Sequence, residues 1–239
     1  MSLSLAGIEL VVFDKDGTLI EFDAMWAGWA TDLAASLERA AGIPILDPLF
    51  GMLGFDAPTG RVLPGGGLAA TPMARLRNQT RDLLVAAGLN GPRADAALGE
   101  AWHAPDPVGL AHPLVDLPGL FDRLRRDGLR IAVATSDDRD PTERTLAALG
   151  VSDLIDAVVC ADDGLPVKPA PDMVLSLCAG LGIAPARTAV VGDAVADLEM
   201  GRRAGAGLVV GVLTGVGDAA HLAPLADGVI ASIADLTPL

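Results

Sequence analysis

The sequence predicts an α/β protein whose parallel sheet is covered by helices on both faces. Two observations predict this class: short apolar runs recur along the 239 residues, and segments with helical punctuation lie between them. A third observation adds a small helical domain, because residues 21–111 break the alternation of strands and helices. By length alone the chain could form one large domain or two small ones, and it is long enough for a substantial core.

The predicted strands are mainly apolar, which is typical of strands buried on both faces. In chain order they span residues 8–13, 130–134, 157–160, 188–191, 207–212 and 228–230. The predicted helices between them span residues 117–126, 141–149, 171–181 and 195–204. Pro141 and Pro171 stand at the expected first helical positions, and Gly150 and Gly182 follow the expected last turns.

The insert shows helical patterns near residues 24–41, 72–87 and 93–102, with no convincing strand. A loop rich in Gly and Pro, residues 51–67, separates the first two patterns. We expect a helical domain over residues 21–111 and a core domain over residues 1–20 and 112–239. The hinges are expected near residues 20–23 and 112–116.

Composition excludes several classes of partner. The formal net charge of −14 argues against nucleic acid and against an anionic membrane surface, because both require clustered Lys and Arg.

No secretory signal and no uncharged run of membrane-spanning length is visible. Cys160 and Cys178 lie in apolar segments and are expected to be buried, reduced thiols. These features favour a cytoplasmic protein. We expect a monomer or a homodimer.

The most informative motif ends the first predicted strand. Asp14 and Asp16 follow the apolar run directly, and Gly17 and Thr18 come next. In open α/β sheets, ligands bind beyond the carboxyl ends of the strands. Two carboxylates there can hold a hard cation, attack an electrophile and transfer a proton. That combination of abilities indicates metal-assisted phosphoryl transfer.

Three further motifs follow later predicted strands, so all four are expected along one edge of the sheet. They are Thr135-Ser136 after RIAVA, Lys168 within LPVKPAPD, and Gly192-Asp193 after TAVV, with Asp197 one helical turn later. Each residue also has a structural interpretation. Asp193 and Asp197 suit a capped helix start, Lys168 suits an exposed loop, and Thr135 suits a strand end. Taken together, the acidic residues and the lysine favour catalysis.

The four segments FDKDGTL, VATS, VKPAPD and VVGDAVADLEMGRRAG, within residues 8–205, carry a resemblance to a known family. In order and spacing the chain resembles the haloacid dehalogenase-like superfamily, in the branch that includes phosphoglycolate phosphatases. The resemblance implies a Rossmann-like core, a helical cap inserted after the first strand, and a magnesium-dependent mechanism through an aspartyl phosphate. The expected activity is hydrolysis of a small phosphorylated metabolite.

The resemblance also implies a role for each motif residue. Asp14 would be the nucleophile, and Asp16 would protonate the leaving oxygen and then activate water. Mg²⁺ would be held by Asp14, the backbone carbonyl of Asp16 and Asp193, with Asp197 binding directly or through water. Lys168 would offset the negative charge.

The remaining expectations concern substrate binding. Thr135 and Ser136 would hold phosphoryl oxygens, Gly17 would let the backbone approach the phosphate, and Arg61 in the insert would contact substrate. Soluble members of this branch usually carry an apolar residue where this chain has Lys15, and we expect that side chain to face solvent or the cap. Three alternatives stay open: a phosphomutase that resembles β-phosphoglucomutase, a haloacid dehalogenase, and a non-catalytic phosphate-binding module on the same fold.

Overall fold

A computed structural model of the chain describes residues 3–63, 66–103 and 105–237. The chain divides into two compact units, a core unit (Met1–Phe22 with Pro107–Leu239) and a helical unit (Asp23–Asp106). These divisions differ from the predicted ones by two residues at the first boundary and by five at the second. The second boundary lies earlier because the buried Thr145 hydroxyl donates a hydrogen bond of 2.6 Å to the Pro107 carbonyl, within the core unit.

Short strands and helices make up most of the described chain. The strands are β1 (Leu3–Ser4), β2 (Leu10–Phe13), β3 (Phe55–Asp56), β4 (Arg61–Val62), β5 (Arg130–Ala134), β6 (Ala157–Val159), β7 (Thr188–Gly192), β8 (Leu208–Val212), β9 (Gly228–Ile230) and β10 (Leu236–Thr237). The helices are α1 (Phe22–Ala41), α2 (Leu46–Leu53), α3 (Gly67–Ala70), α4 (Met73–Ala86), α5 (Gly91–Ala101), α6 (Leu117–Arg126), α7 (Arg139–Ala148), α8 (Asp172–Leu181), α9 (Val195–Ala204) and α10 (Ala219–Leu222).

The core unit is built on a six-stranded parallel sheet with strand order β6-β5-β2-β7-β8-β9. This confirms the predicted α/β class. Strand β2 lies in the interior, and its Phe13 is in register with Val133 of β5 and with Val191 of β7. The residues that follow these three strands therefore meet at one edge of the sheet.

Alternate residues of the strands pack on opposite faces, as the pleat requires. On one face Leu10 and Val12 join a core cluster with Met173 and Leu177 of α8. Phe13 stacks on Phe121 of α6, with ring centroids 5.4 Å apart. Both faces of the sheet are thus covered by helices, which explains why the central strands are mainly apolar.

Several element ends differ from the predicted ones for local reasons. Strand β2 begins at Leu10 rather than at residue 8, because the Ile8 amide donates to the Leu5 carbonyl in a turn. Helix α7 begins at Arg139, so Pro141 is its third residue, while α8 begins directly after Pro171. Proline fits all these positions, since the amides of a first helical turn have no partner within the helix.

The helical unit contains α2–α5 and nearly all of α1. The prediction that residues 51–67 form a loop without strands is wrong in one respect. This segment holds a short antiparallel ladder that pairs Phe55 with Val62 and Asp56 with Arg61. Two-residue strands are too short to show any periodicity in the sequence.

A cluster of aromatic rings lies inside the helical unit. Trp29 contacts Trp26 and Trp102 edge to face, at centroid distances of 5.7 and 5.4 Å, and its indole donates to the His103 carbonyl at 2.7 Å. In the core unit, Cys160 and Cys178 are buried and free, as expected. Among the described residues, no helix combines the length and apolar character needed to cross a bilayer.

Candidate active site

Three carboxylates converge where β2 and β7 end. Asp14 follows β2, Asp193 follows β7, and Asp197 lies in the first turn of α9. All three are buried, and each offers an oxygen within 4.8 Å of the oxygens offered by the other two. The register of the sheet brings Asp14 close to Asp193, because the Asp14 amide donates a hydrogen bond of 2.9 Å to the Val191 carbonyl of β7.

Lys168 is the cation of this cluster. Its ammonium lies 2.5 Å from Asp14 Oδ1 and 2.7 Å from Asp197 Oδ1, and its side chain is buried. It comes from the loop between β6 and α8, and its burial excludes the interpretation as an exposed loop lysine. Asp197 also accepts the Ala194 amide at 3.0 Å, so it caps α9 and pairs with Lys168 at once.

The position of Asp193 is fixed from two sides. Its Oδ2 accepts the Val216 amide at 2.8 Å, and its Oδ1 accepts the Thr18 hydroxyl at 3.3 Å. The loop at residues 213–217, which follows β8, also donates the Thr214 hydroxyl to the Gly17 carbonyl at 2.6 Å. A Cβ at Gly215 would overlap the Asp193 carboxylate. The only sequence signal for this loop is its two glycines, and sequence reasoning missed it.

Gly17 has a positive φ of 85°, a conformation that other residues rarely adopt. A Cβ at this position would lie 2.6 Å from Asp193 Cγ. The sequence predicted a close approach of the Gly17 backbone to phosphate. The neighbour that the structure shows for Gly17 is the Asp193 carboxylate, so the glycine also makes room for a member of the acidic cluster.

Lys15 corrects an expectation. The prediction that its side chain faces solvent is wrong, because Lys15 is only 1% exposed, and the contacts shown for its ammonium lie within the core unit. Its ammonium lies 2.9 and 2.8 Å from the two carboxylate oxygens of Asp16 and 2.9 Å from Asp137 Oδ2. Two carboxylates thus hold the buried cation. The Asp16 side chain faces Lys15 and is not a member of the three-carboxylate cluster.

Burial shapes the protonation of this site. Burial raises the pKa of Asp14 to about 6 against the opposing pull of Lys168, and raises the pKa of Asp16 to about 7 against the pull of Lys15. The pKa of Asp193 is raised well above its usual range by burial and then by Asp14. Burial favours neutral Lys168, yet Asp14 and Asp197 outweigh it and raise the pKa of that lysine.

The raised pKa values of Asp14 and Asp193 indicate that the cluster contains too little positive charge to balance its carboxylates. Three buried carboxylates face one ammonium, and desolvated carboxylates resist ionisation unless cations balance them. Their oxygens are the ligands that a hard divalent cation prefers. The donor set of Asp14, Asp193 and Asp197 therefore fits a hard divalent cation.

The predicted substrate-binding residues lie in both units. Thr135 follows β5, is buried, and accepts the Asp137 amide at its hydroxyl oxygen at 3.1 Å, while Ser136 is partly buried in the same turn. The structure therefore brings Thr135 and Ser136 to the sheet edge where Asp14 lies. Arg61 belongs to the helical unit, where its largely exposed guanidinium lies 3.7 Å from Asp23.

Comparison with known proteins points to one family. A model of the haloacid dehalogenase-like hydrolases matches residues 8–205. A phosphoglycolate phosphatase of Aquifex aeolicus is 27% identical over 198 residues, which cover 83% of this chain and 82% of that protein. An N-acetylmuramic acid 6-phosphate phosphatase of Pseudomonas aeruginosa is 27% identical over 203 residues, which cover 83% and 79%.

A solved structure supports the same relationship. The crystal structure of a hydrolase of this family from Deinococcus radiodurans, which contains bound phosphate and sodium, matches the chain with a TM-score of 0.62. The two sequences are 25% identical, and the match covers 96% of this chain and 93% of that one.

Proposed function

Because the chain belongs to the haloacid dehalogenase-like hydrolases, we propose that it is a magnesium-dependent phosphatase for a small phosphorylated metabolite. One observation carries the proposal: Asp14, Asp193, Asp197 and Lys168 meet, buried, at one edge of the sheet. Such a cluster supplies a nucleophile, a site for a hard cation and a fixed positive charge within a few ångströms.

In the first proposed step, a carboxylate oxygen of Asp14 attacks phosphorus in line with the leaving oxygen. The new bond joins Asp14 to phosphorus, and the bond from phosphorus to the leaving oxygen breaks. Asp16 gives its proton to that oxygen, so an alcohol departs. The pKa of about 7 that burial confers on Asp16 suits a group that must carry a proton near neutral pH.

In the second proposed step, Asp16 takes a proton from water, and the water oxygen attacks phosphorus. The bond to Asp14 breaks, and inorganic phosphate leaves. Lys168 holds Asp14 in place through its short ion pair and offsets negative charge during both steps. Thr135 and the backbone amides near Ser136 are proposed to bind phosphoryl oxygens.

Magnesium, when bound by Asp14, Asp193, Asp197 and the Asp16 carbonyl, would supply charge neutralisation that allows an anionic nucleophile to approach a phosphate. The protein's own contribution is to fix the ligand geometry. The Val216 amide and the Thr18 hydroxyl hold Asp193, and Lys168 holds Asp197.

The relatives indicate the class of substrate. The names of these relatives place phosphoglycolate and N-acetylmuramic acid 6-phosphate among the substrates of similar chains, and both are small phosphomonoesters. We propose a phosphoglycolate-like phosphomonoester as substrate, with the helical unit serving as the cap that selects the leaving group and Arg61 as its first candidate contact. The net charge of −14 favours a free metabolite over a nucleic acid or a membrane lipid as the substrate. We also propose that the protein acts in the cytoplasm.

The proposal is tested by phosphate release from p-nitrophenyl phosphate and a panel of phosphorylated metabolites, with magnesium and then with chelator. Asp14→Asn is expected to abolish turnover, and the exposed Asp140→Asn serves as the matched control. Release that ignores magnesium, or that survives Asp14→Asn, would contradict the proposed chemistry. Conversion of a sugar phosphate to its isomer without free phosphate would indicate a phosphomutase, and no turnover would indicate a binding module.

A further inference from the structure

The chain has only two lysines, and both lie buried at the candidate site. The other fifteen of its seventeen basic residues are arginines. Lys168 is accounted for by its ion pairs with Asp14 and Asp197. Lys15, between the two motif aspartates, has no part in the mechanism above. A buried ammonium is costly unless it is paired, so its partners indicate what it does.

The Lys15 ammonium holds both oxygens of the Asp16 carboxylate, at 2.9 and 2.8 Å. A carboxylate gripped at both oxygens cannot turn about its own axis without breaking at least one contact. The Lys15 side chain is itself fixed by burial, with 1% of the residue exposed. Its carbonyl accepts the Leu19 amide at 2.8 Å, which anchors its backbone in the turn after β2.

Asp137 supplies the second contact, from the loop after the neighbouring strand β5. Its Oδ2 lies 2.9 Å from the Lys15 ammonium. The backbone of Asp137 is held at both of its polar atoms. Its amide donates to the Thr135 hydroxyl at 3.1 Å, and its carbonyl accepts the Ala161 amide at 2.9 Å. Direct contacts therefore link the loop after β5 to the Asp16 carboxylate, through Asp137 and Lys15.

We propose that Lys15 is a positioning residue that, together with Asp137, holds the Asp16 carboxylate where it meets the leaving oxygen. This inference rests on the proposed function, because it assigns Asp16 the proton transfer described there. Without the ammonium, Asp16 and Asp137 would be two partly buried carboxylates that share no cation, and their repulsion would drive them apart. Lys15 thus governs the expulsion of poor leaving groups.

The test compares two substrates of nearly equal size with wild-type protein and Lys15→Met, a variant that keeps length but removes charge. p-Nitrophenolate leaves phosphorus without receiving a proton, whereas phenolate from phenyl phosphate is a poorer leaving group that benefits from one. The measured quantity is kcat/KM, which covers the steps through phosphoryl transfer to Asp14. Since a general acid contributes about 10²–10⁴-fold, phenyl phosphate is expected to lose at least about tenfold more than p-nitrophenyl phosphate.

A purely structural role predicts equal losses on the two substrates. Equal losses, no loss, or a preferential gain on phenyl phosphate would each overturn the inference. Asp137→Asn, which keeps an oxygen near Lys15 but removes its charge, is expected to shift the substrate ratio in the same direction by less. If Lys15→Met does not fold, Asp137→Asn is used by itself in the same comparison of the two substrates. Arg139→Met is the matched control, because Arg139 pairs with Asp163 and Glu143 and is expected to leave the ratio unchanged.

A crystal structure of Lys15→Met provides a readout that does not depend on turnover. The Asp16 carboxylate is expected to leave its wild-type position, and its retention there would overturn the inference. The two proposals fail in different ways. A wild-type protein that releases no phosphate contradicts the proposed function, whereas an active wild type with an unchanged substrate ratio in Lys15→Met contradicts only the role of Lys15.

Discussion

Replacing Gly17 by alanine is expected to damage the proposed metal site far more than the fold. The new Cβ would lie 2.6 Å from Asp193 Cγ and Oδ2, well inside van der Waals contact. Asp193 cannot move aside freely, because its carboxylate accepts hydrogen bonds from Val216 and Thr18. The positive φ of 85° adds backbone strain of about 1–2 kcal/mol for a residue with a side chain.

Gly128 offers a matched control within the same chain. Its φ is also 85°, yet a Cβ there would meet nothing within 4 Å. Gly128→Ala and Gly17→Ala therefore share the backbone strain and differ in the collision with Asp193. For a chain of this size, about 1 kcal/mol lowers the Tm by about 2–4 °C, a loss that both variants are expected to show.

Magnesium affinity separates the two variants. Saturating a site at a hundred times its Kd stabilises a protein by about 2.7 kcal/mol. Disturbing groups that hold a metal ligand typically weakens affinity about 10–100-fold, which would cut that stabilisation by about half or more at the same magnesium concentration. Titration calorimetry and thermal unfolding with and without magnesium measure the effect. Equal magnesium affinity in the two variants would refute the reasoning from the Asp193 contact.

Three further predictions concern neighbouring contacts. Thr214→Val removes the hydrogen bond to the Gly17 carbonyl and is expected to lower the free energy of unfolding by about 1 kcal/mol; an unchanged Tm would contradict it. Lys168→Met is expected to lower kcat by about 10²-fold or more, and a loss below tenfold would contradict its role. In chelator, stability is expected to fall as pH rises from about 5.5 to about 8, because Asp14 and Asp16 have folded pKa values of about 6 and about 7 against 3.8 as the ordinary value. The folded state therefore binds more protons than the unfolded state in that window. Magnesium is expected to remove most of this slope in thermal unfolding, and greater stability at the alkaline end in chelator would contradict the sign.

The sheet and the meeting of the four motifs could be predicted because three motifs directly follow an apolar run and the motif with Lys168 lies in the loop after one. Once the strands are parallel, their carboxyl ends share one edge, and Asp14 and Asp193 must approach each other. The position of each strand can be recognised from the hydrophobic pattern of its own segment. The ends of α6, α9 and β9 were predicted to the residue, and β2 was not, because a turn at Ile8 depends on a backbone hydrogen bond.

Lys15 shows why part of the site could not be predicted. A lysine that follows a buried strand ordinarily reaches solvent, and nothing near it in sequence indicates burial. Its second partner, Asp137, is more than a hundred residues away and becomes a neighbour only when β5 pairs with β2. An ion pair formed by tertiary contact leaves no periodic signal.

The loop at residues 213–217 escaped prediction for a different reason. It holds Asp193 through the Val216 amide, a group that almost every residue possesses. Side-chain identity therefore says little about that contact. The glycines are the exception, since a Cβ at Gly215 would collide with Asp193. Glycine is common in loops of every kind, however, so a pair of glycines does not by itself indicate a carboxylate neighbour.

Covalent trapping at Asp14 tests the central claim most directly. In Asp16→Asn, the phosphorylated enzyme is expected to accumulate because water is no longer activated, and borohydride reduction would then convert residue 14 to homoserine, detectable by peptide mass spectrometry. The account predicts homoserine at position 14 after incubation with p-nitrophenyl phosphate and magnesium, and none in Asp14→Asn. A phosphoryl group on another residue, or phosphate release by wild-type protein with no modification of Asp14 under any quench, would contradict it.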